Sequence, residues 1–277
     1  MLVTSAQNQR VKGIRSLRLR KYRERAGRFL VEGIRIVEEA LDLGAPLETL
    51  AYAPELLESE RAKALVERVD AARRLALSGE VFRTLSERED PQGIAAVVRI
   101  EDRPLTAIPL ARDSLVITAC QIRNPGNLGA IIRTADAVAA TGVVVVEPSV
   151  DLYDPETVRA TMGSLFALPI VRVPDEPALI AWFAQVRATG LPLQVVASSA
   201  HGKQVHFDVG YCRPLVLLVG NERTGLSQRL REAADILVRL PMAGRATSLN
   251  VSAATAALVY EIIRQTSCPG GNVKHDT

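Results

Sequence analysis

The sequence predicts an α/β fold built on a mostly parallel sheet with helices on both faces. Three observations predict it. From Ser114 onward, short apolar runs alternate with helical segments, the signature of strands joined by helical crossovers. Several of these runs, such as LVITAC and LVLLV, are apolar from end to end and so suit strands buried on both faces. Three of them lead into polar, glycine-bearing loops, Asn124 to Ala137, Gly220 to Ser227 and Pro241 to Glu261. Open α/β sheets bind ligands at that place, beyond the carboxyl ends of their strands.

Taken in order, the first hundred residues read as a separate small α/β unit. Helical patterns cover about 8–24 and 33–43, strand-like runs cover Leu47 to Tyr52 and Ile94 to Arg99, and Pro54 and Pro91 mark breaks. Residues 58–74, rich in Ala, Leu, Glu and Arg, suit a further helix. The stretch 101–113 carries acidic residues and prolines without a period and is expected to be the linker between domains 1–100 and 114–268. Then follow LVITAC, the first loop and a helix, GVVVVEP, a helix from Pro155, LPIVRVP and a helix around Trp182. LQVVASS, LVLLVG and ILVRLP come next, then a last helix from Val251 to about Gln265 and a tail, 269–277, expected to fray. Trp182 is expected in the core with Leu179, Ile180 and Phe183.

At 277 residues with 48% hydrophobic content, the chain can bury a substantial core. Its apolar stretches stop short of the roughly 18–20 residues that span a bilayer, and no apolar signal region follows the basic N-terminus. A cytoplasmic protein without a membrane partner is expected. Cys120, Cys212 and Cys268 are odd in number and far apart, so reduced thiols are expected, Cys120 as a small core residue. His201, His206 and His275 show no metal-ligand or catalytic spacing, and no metal is expected.

The net charge of +3 is unevenly spread: residues 1–28 carry nine Lys or Arg against the single Glu24, leaving the remainder at −5. Such an arm can neutralise phosphates. It can equally be a solvated amphipathic helix with Ile14, Leu17 and Tyr22 on its apolar side. Both can hold together.

The loops carry the chemistry. Asn127 precedes an Ala- and Ile-rich helical run and can cap it, while Gly126 and Gly129 let backbone approach a ligand, or simply make a strand-to-helix turn. Arg133 follows Ile131 and Ile132 and, if buried, needs an anionic or carbonyl partner. Glu222 emerges beyond LVLLVG, to pair with an arginine or to act in catalysis. Ser248 and Asn250 precede a helix bearing Ala253, Ala254, Ala256 and Ala257; they can be caps, and the small residues allow close helix approach within the fold or across a dimer interface.

In order, NPGNLGAIIRTADA, GNERTGLS and LPMAGRATSLNVS resemble the three signature motifs of the SpoU family of RNA ribose 2′-O-methyltransferases, in the SPOUT class. TSAQNQRVKGIRSL and FLVEGIRIVEEAL resemble that family's substrate-binding domain, similar to ribosomal protein L30. The resemblance implies a C-terminal trefoil knot, a rare exception to unknotted folds, that forms an S-adenosylmethionine pocket in a homodimer. It implies that Gly220, Leu240 and Leu249 contact the cofactor and that Leu218 and Met242 shape the adenine site. It implies Arg133 as the catalytic residue, with Asn127, Glu222, Ser248 and Asn250 completing the site. An arginine guanidinium holds its proton too tightly to serve readily as a base, so stabilisation of the developing alkoxide is preferred over proton removal. Arg159 is implied near RNA, or it belongs to a surface helix start.

The L30-like front favours 23S ribosomal RNA as substrate, with tRNA the alternative. A Rossmann-type oxidoreductase is the rival from another class, but NPGNLG lacks the G-x-G-x-x-G spacing. A non-catalytic RNA-binding module is the third reading, and the intact second and third motifs speak against it.

Overall fold

The computed structural model describes residues 2–266, so the tail 269–277, Cys268 and His275 lie outside the described residues. Up to Asp102 the chain forms α1 (Gln9–Ser16), α2 (Arg20–Ala26), β1 (Arg28–Glu32), α3 (Ile34–Asp42), β2 (Leu47–Tyr52), α4 (Glu60–Glu67), β3 (Arg74–Ala76), α5 (Gly79–Arg83) and β4 (Ile94–Arg99). Beyond it come β5 (Leu115–Cys120), α6 (Pro125–Ala137), β6 (Gly142–Val146), α7 (Pro155–Thr161), β7 (Ile170–Val173), α8 (Glu176–Ala188) and β8 (Gln194–Ser198). The chain continues through β9 (Gln204–Val205), β10 (Leu215–Val219), α9 (Gln228–Ala233), β11 (Ile236–Arg239) and α10 (Val251–Thr266).

These elements form two compact units. One holds the chain up to Asp102 together with Asp151–Ala167; the other holds Arg103–Val150 and the chain from Leu168 onward. The division therefore falls inside the stretch expected as a linker, and it is not continuous in sequence. Ile108, within that stretch, is buried in the second unit's core, with Leu105 and Leu110 packed against it. The excursion at 151–167 has its own cause. Tyr153 and Phe166 pack on Phe29 of β1 at ring separations of 4.6 and 6.3 Å.

In the first unit the sheet order is β1-β4-β2-β3, with β4 antiparallel to both its neighbours and β3 parallel to β2. Val11 and Ile14 of α1, with Leu17 after it, pack against Leu30, Ala95 and Val97. Ile14 and Leu17 thus form an apolar side as expected, but Tyr22 is exposed. The helix expected over 8–24 is broken at Leu17–Leu19, and Arg23 on α2 turns inward to 2% exposure. Its Nε and Nη2 donate to Asp151 Oδ2 at 2.9 and 2.5 Å, and its Nη1 donates to the Leu17 and Arg18 carbonyls at 2.9 and 2.6 Å. One cation of the basic arm is therefore a structural strut, unavailable to a phosphate.

In the second unit seven strands, all parallel, follow the order β7-β6-β5-β10-β8-β11-β9. Every residue of β5, β6 and β10 is buried, as their unbroken apolar sequences require. One face packs Val116, Val144, Val171, Val195 and Leu218 against Leu179, Trp182, Phe183 and Val186 of α8 and Leu230 of α9. The other face is covered by α6 and α10, which pack on each other and on β5, β6 and β10. The strands run outward from β5 to β7, and β10 then returns between β5 and β8. Adjacent strands whose connections diverge open a crevice at their carboxyl ends, here between β5 and β10. Among the described residues, no helix is long and apolar enough to cross a membrane.

Arg23→Leu would leave the Asp151 carboxylate, 9% exposed, without its counter-charge. Loss of one partner from a buried ion pair costs about 3–5 kcal/mol, so urea unfolding of Arg23→Leu should show a drop of that order, largely recovered in Arg23→Leu/Asp151→Leu.

Candidate active site

The three loops meet at the β5–β10 crevice through one chain of hydrogen bonds. Beyond β5, the Asn124 side chain caps α6 by accepting the Asn127 N–H at 2.9 Å, and Pro125 occupies the first helical turn, where its missing N–H costs nothing. The cap expected at Asn127 is thus supplied by Asn124. Asn127 stands inside the first turn, its side chain released for another task. Its Nδ2 donates to Glu222 Oε1 at 2.9 Å, and its Oδ1 accepts Asn250 Nδ2 at 2.9 Å. Asn250 also caps α10, its Oδ1 accepting the Ser252 N–H at 2.9 Å and the Ser252 hydroxyl at 2.6 Å.

Glu222 accepts more than the Asn127 amide. The N–H groups of Arg123 and Asn124 each reach its carboxylate at 3.2 Å, so it pairs with amides of the first loop. The arginine side chain considered as its partner is not part of this arrangement. Partial desolvation raises the carboxyl pKa, but the Asn127 amide and the backbone N–H donors outweigh it and bring it below the ordinary value. Beside it, Asn221 Nδ2 donates to the Gln121 carbonyl at 2.8 Å, while its Oδ1 accepts the N–H groups of Arg223 and Thr224 at 2.9 and 3.1 Å.

A cleft of about 590 Å³ adjoins this network, lined by the ends of β8, β10 and β11 and the loops that follow them. Gly220, Glu222, Leu240, Met242, Ser248 and Leu249 all line it. Gly220 is there because nothing larger fits: a Cβ would stand 2.5 Å from the backbone of Gly225 and Leu226. Leu218 does not line the cleft; it is fully buried in the sheet core. Arg133 is exposed on α6 and has no hydrogen-bond or ion-pair partner among the described residues, so the condition under which it needed one does not arise. It stands apart from the Glu222–Asn127–Asn250 chain.

Sequence reasoning missed part of the wall. Ser198 ends β8, Ser199 and His201 follow it, and Arg231 and Arg239 stand on α9 and β11. The strand LQVVASS was readable, but nothing in its pattern says that β8 lies beside β10. The volume falls within the roughly 300–1,000 Å³ of small-molecule sites. Apolar Leu240, Met242 and Leu249 beside loop backbone and the polar Ser248 and Glu222 suit a ligand with one aromatic and one polar end. S-adenosylmethionine is of that kind. Among the described residues no cluster of side chains could hold a metal ion.

Comparison with known proteins places this arrangement. Residues 114–260 match the model of the SpoU rRNA Methylase family, and residues 8–96 match the MRM3-like substrate binding domain. The chain is similar to a 23S rRNA (uridine(2479)-2′-O)-methyltransferase of Streptomyces viridochromogenes, 40% identical across 89% of this chain and 86% of the relative. It is also similar to the 23S rRNA (guanosine(2553)-2′-O)-methyltransferase RlmP of Bacillus subtilis, 33% identical across 94% of this chain and 98% of the relative. Among solved structures, the SpoU methyltransferase AviRb from Streptomyces viridochromogenes in complex with AdoMet superposes with a TM-score of 0.87. It is 38% identical and covers 94% of this chain and 98% of its own.

Two outcomes follow from the geometry. Gly220→Ala forces the loop 220–226 apart, at about 1–3 kcal/mol for such overpacking; calorimetric titration with S-adenosylmethionine should register lost or strongly weakened binding. Asn127→Leu removes the leading donor to Glu222 while desolvation remains, so the carboxyl pKa rises. The network needs the carboxylate ionised and is lost as pH falls through that pKa. The acid limb of the pH–activity profile should therefore move to higher pH in Asn127→Leu than in the parent.

Proposed function

The chain belongs to the SpoU rRNA methylase family, and we propose that it transfers the methyl group of S-adenosylmethionine to a ribose 2′-hydroxyl of 23S ribosomal RNA. One observation supports this most directly: Glu222, Asn127 and Asn250, one from each loop, form a single hydrogen-bonded chain beside a cofactor-sized cleft. The full-length similarity to relatives named for 23S rRNA, including the front region, supports ribosomal RNA over tRNA.

Bound S-adenosylmethionine supplies a methyl group made electrophilic by its sulfonium, so the protein's task is alignment and management of one proton. In this reading backbone of Gly220, Leu240 and Leu249 holds the cofactor, Met242 flanks the adenine, and Leu218 supports that wall from the sheet beneath. Glu222 holds Asn127, and Asn127, with Ser248 and Asn250, orients the ribose. The Arg133 guanidinium, exposed on α6, would stabilise the negative charge that develops on the 2′-oxygen as that oxygen attacks the methyl carbon, the carbon–sulfur bond breaks and an RNA phosphate takes the hydroxyl proton.

Three further features belong to the same proposal. The chain from Gly220 to α10 is threaded as a trefoil knot, a reading supported by the return of β10 between β5 and β8 and of α10 onto α6. The protein works as a homodimer in the cytoplasm, and the exposed Ala253, Ala257 and Tyr260 on one stripe of α10 support a second copy packing there. Residues 8–96 bind the RNA, with the remaining basic residues of the N-terminal arm facing phosphates.

Arg133→Lys keeps the charge and loses the planar fork. Turnover on 23S rRNA should fall by about 10²-fold or more while calorimetric affinity for S-adenosylmethionine stays within about twofold of the parent. A fully active Arg133→Lys enzyme removes Arg133 from this role. Mapping 2′-O-methylation in cells lacking the protein would show one unmodified 23S position; loss confined to tRNA would replace the substrate assignment.

A further inference from the structure

Glu176 lies outside all three motifs, in the first turn of α8, yet its carboxylate touches both loops that flank the β5–β10 crevice. Its Oε2 accepts the Ser227 hydroxyl at 2.7 Å, and its Oε1 accepts Gln121 Nε2 at 3.3 Å. Ser227 closes the loop after β10, and its Oγ accepts the Leu230 N–H at 3.2 Å as the cap of α9. With its proton directed at Glu176, the hydroxyl is left free to accept in that cap.

Gln121 opens the loop after β5 with φ at 55°, a left-handed conformation that a non-glycine residue keeps only when its surroundings enforce it. Its N–H donates to the Val146 carbonyl at 3.2 Å, and two further contacts hold it. Its side chain is held by Glu176, and its carbonyl accepts Asn221 Nδ2 at 2.8 Å. Asn221 in turn fixes the Arg223 and Thr224 N–H groups that directly follow Glu222. One carboxylate thus anchors both ends of the Glu222 loop: Ser227 directly, and Asn221 through Gln121.

We propose that Glu176 is a positioning residue for the cofactor cleft. It sets the spacing of the first and second loops, so that the Gly220–Leu226 wall keeps its shape and Glu222 stays within reach of Asn127. The inference rests on the reading of the cleft as the S-adenosylmethionine site. Glutamine can serve in part, because its carbonyl accepts Ser227 and its amide can pair with a turned Gln121; leucine serves neither contact.

The test is calorimetric titration of the full chain with S-adenosylmethionine and with S-adenosylhomocysteine. Glu176→Leu should weaken both by about tenfold, Glu176→Gln by no more than about threefold, and Glu176→Leu/Ser227→Ala no further than Glu176→Leu alone. A folded Glu176→Leu protein with parental affinity, whatever its melting temperature, overturns the proposal, as does an additive double variant. If Glu176→Leu does not fold, Ser227→Ala and Gln121→Ala carry the comparison. Each should weaken binding by about threefold, and the pair should be less than additive; parental affinity in both overturns it. A parent protein that binds neither compound removes the cofactor reading itself, and this inference with it.

Discussion

The site depends on one acceptor, the Glu222 carboxylate, which gathers two backbone N–H groups and the Asn127 amide from the loop after β5. Without it, the Arg123 and Asn124 N–H groups and the Asn127 side-chain N–H would lose the acceptor they share in the loop after β10. With it, the charged oxygens draw the first turn of α6 toward the second loop, and Asn127 passes the constraint to Asn250 at the start of α10. Charge-assisted bonds of this kind are stronger than neutral ones. The direction of the Glu222 pKa has the same origin, since donors that favour the ionised form outweigh partial desolvation.

The sheet makes that convergence possible. Glu222 is separated from Asn127 by 95 positions, and Asn250 from Asn127 by 123. They meet because β10 enters the sheet beside β5, and because α10 covers the face that α6 also covers. A crevice at diverging strands is where loops of different origin can touch one ligand. The requirement at Gly220, where any Cβ would strike the returning backbone of Gly225 and Leu226, shows how closely the second loop doubles back on its own strand.

What could be read from sequence follows from how local each cause is. β2 and β4 were readable to the residue, and β5, β10 and the Trp182 helix in outline, because apolar runs and helical periods are local signals. The helix expected over 58–74 ends at Glu67, because Asp70 caps a separate short turn at Ala71–Arg73 and Arg74 already opens β3, whose pairing with β2 is tertiary. The helix expected through 24 breaks because Arg23 is claimed by Asp151, 128 positions away, which no local pattern records. At the site, Asn127, Glu222 and Asn250 were identified as a set by motif resemblance alone; that they bond to one another, and that Asn124 is the true cap, needed the third dimension. Ser198, Ser199 and His201 line the cleft through a strand neighbourhood that sequence order conceals.

The role proposed for Arg133 favours a cation that stands outside the hydrogen-bonded network shaping the site. Had it paired with Glu222, the carboxylate would hold the guanidinium in its ground state, and a developing alkoxide would have to compete with a full negative charge for the same donors. The loops are instead neutralised internally, amide against carboxylate, and Arg133 is left exposed with its five donors unspent among the described residues. An exposed arginine is weakly effective while water screens it. In the proposed role its strength would rise only as a bound substrate excludes that water, and the stabilising interaction would be largest where charge develops, which is what a catalytic rather than a binding contribution requires.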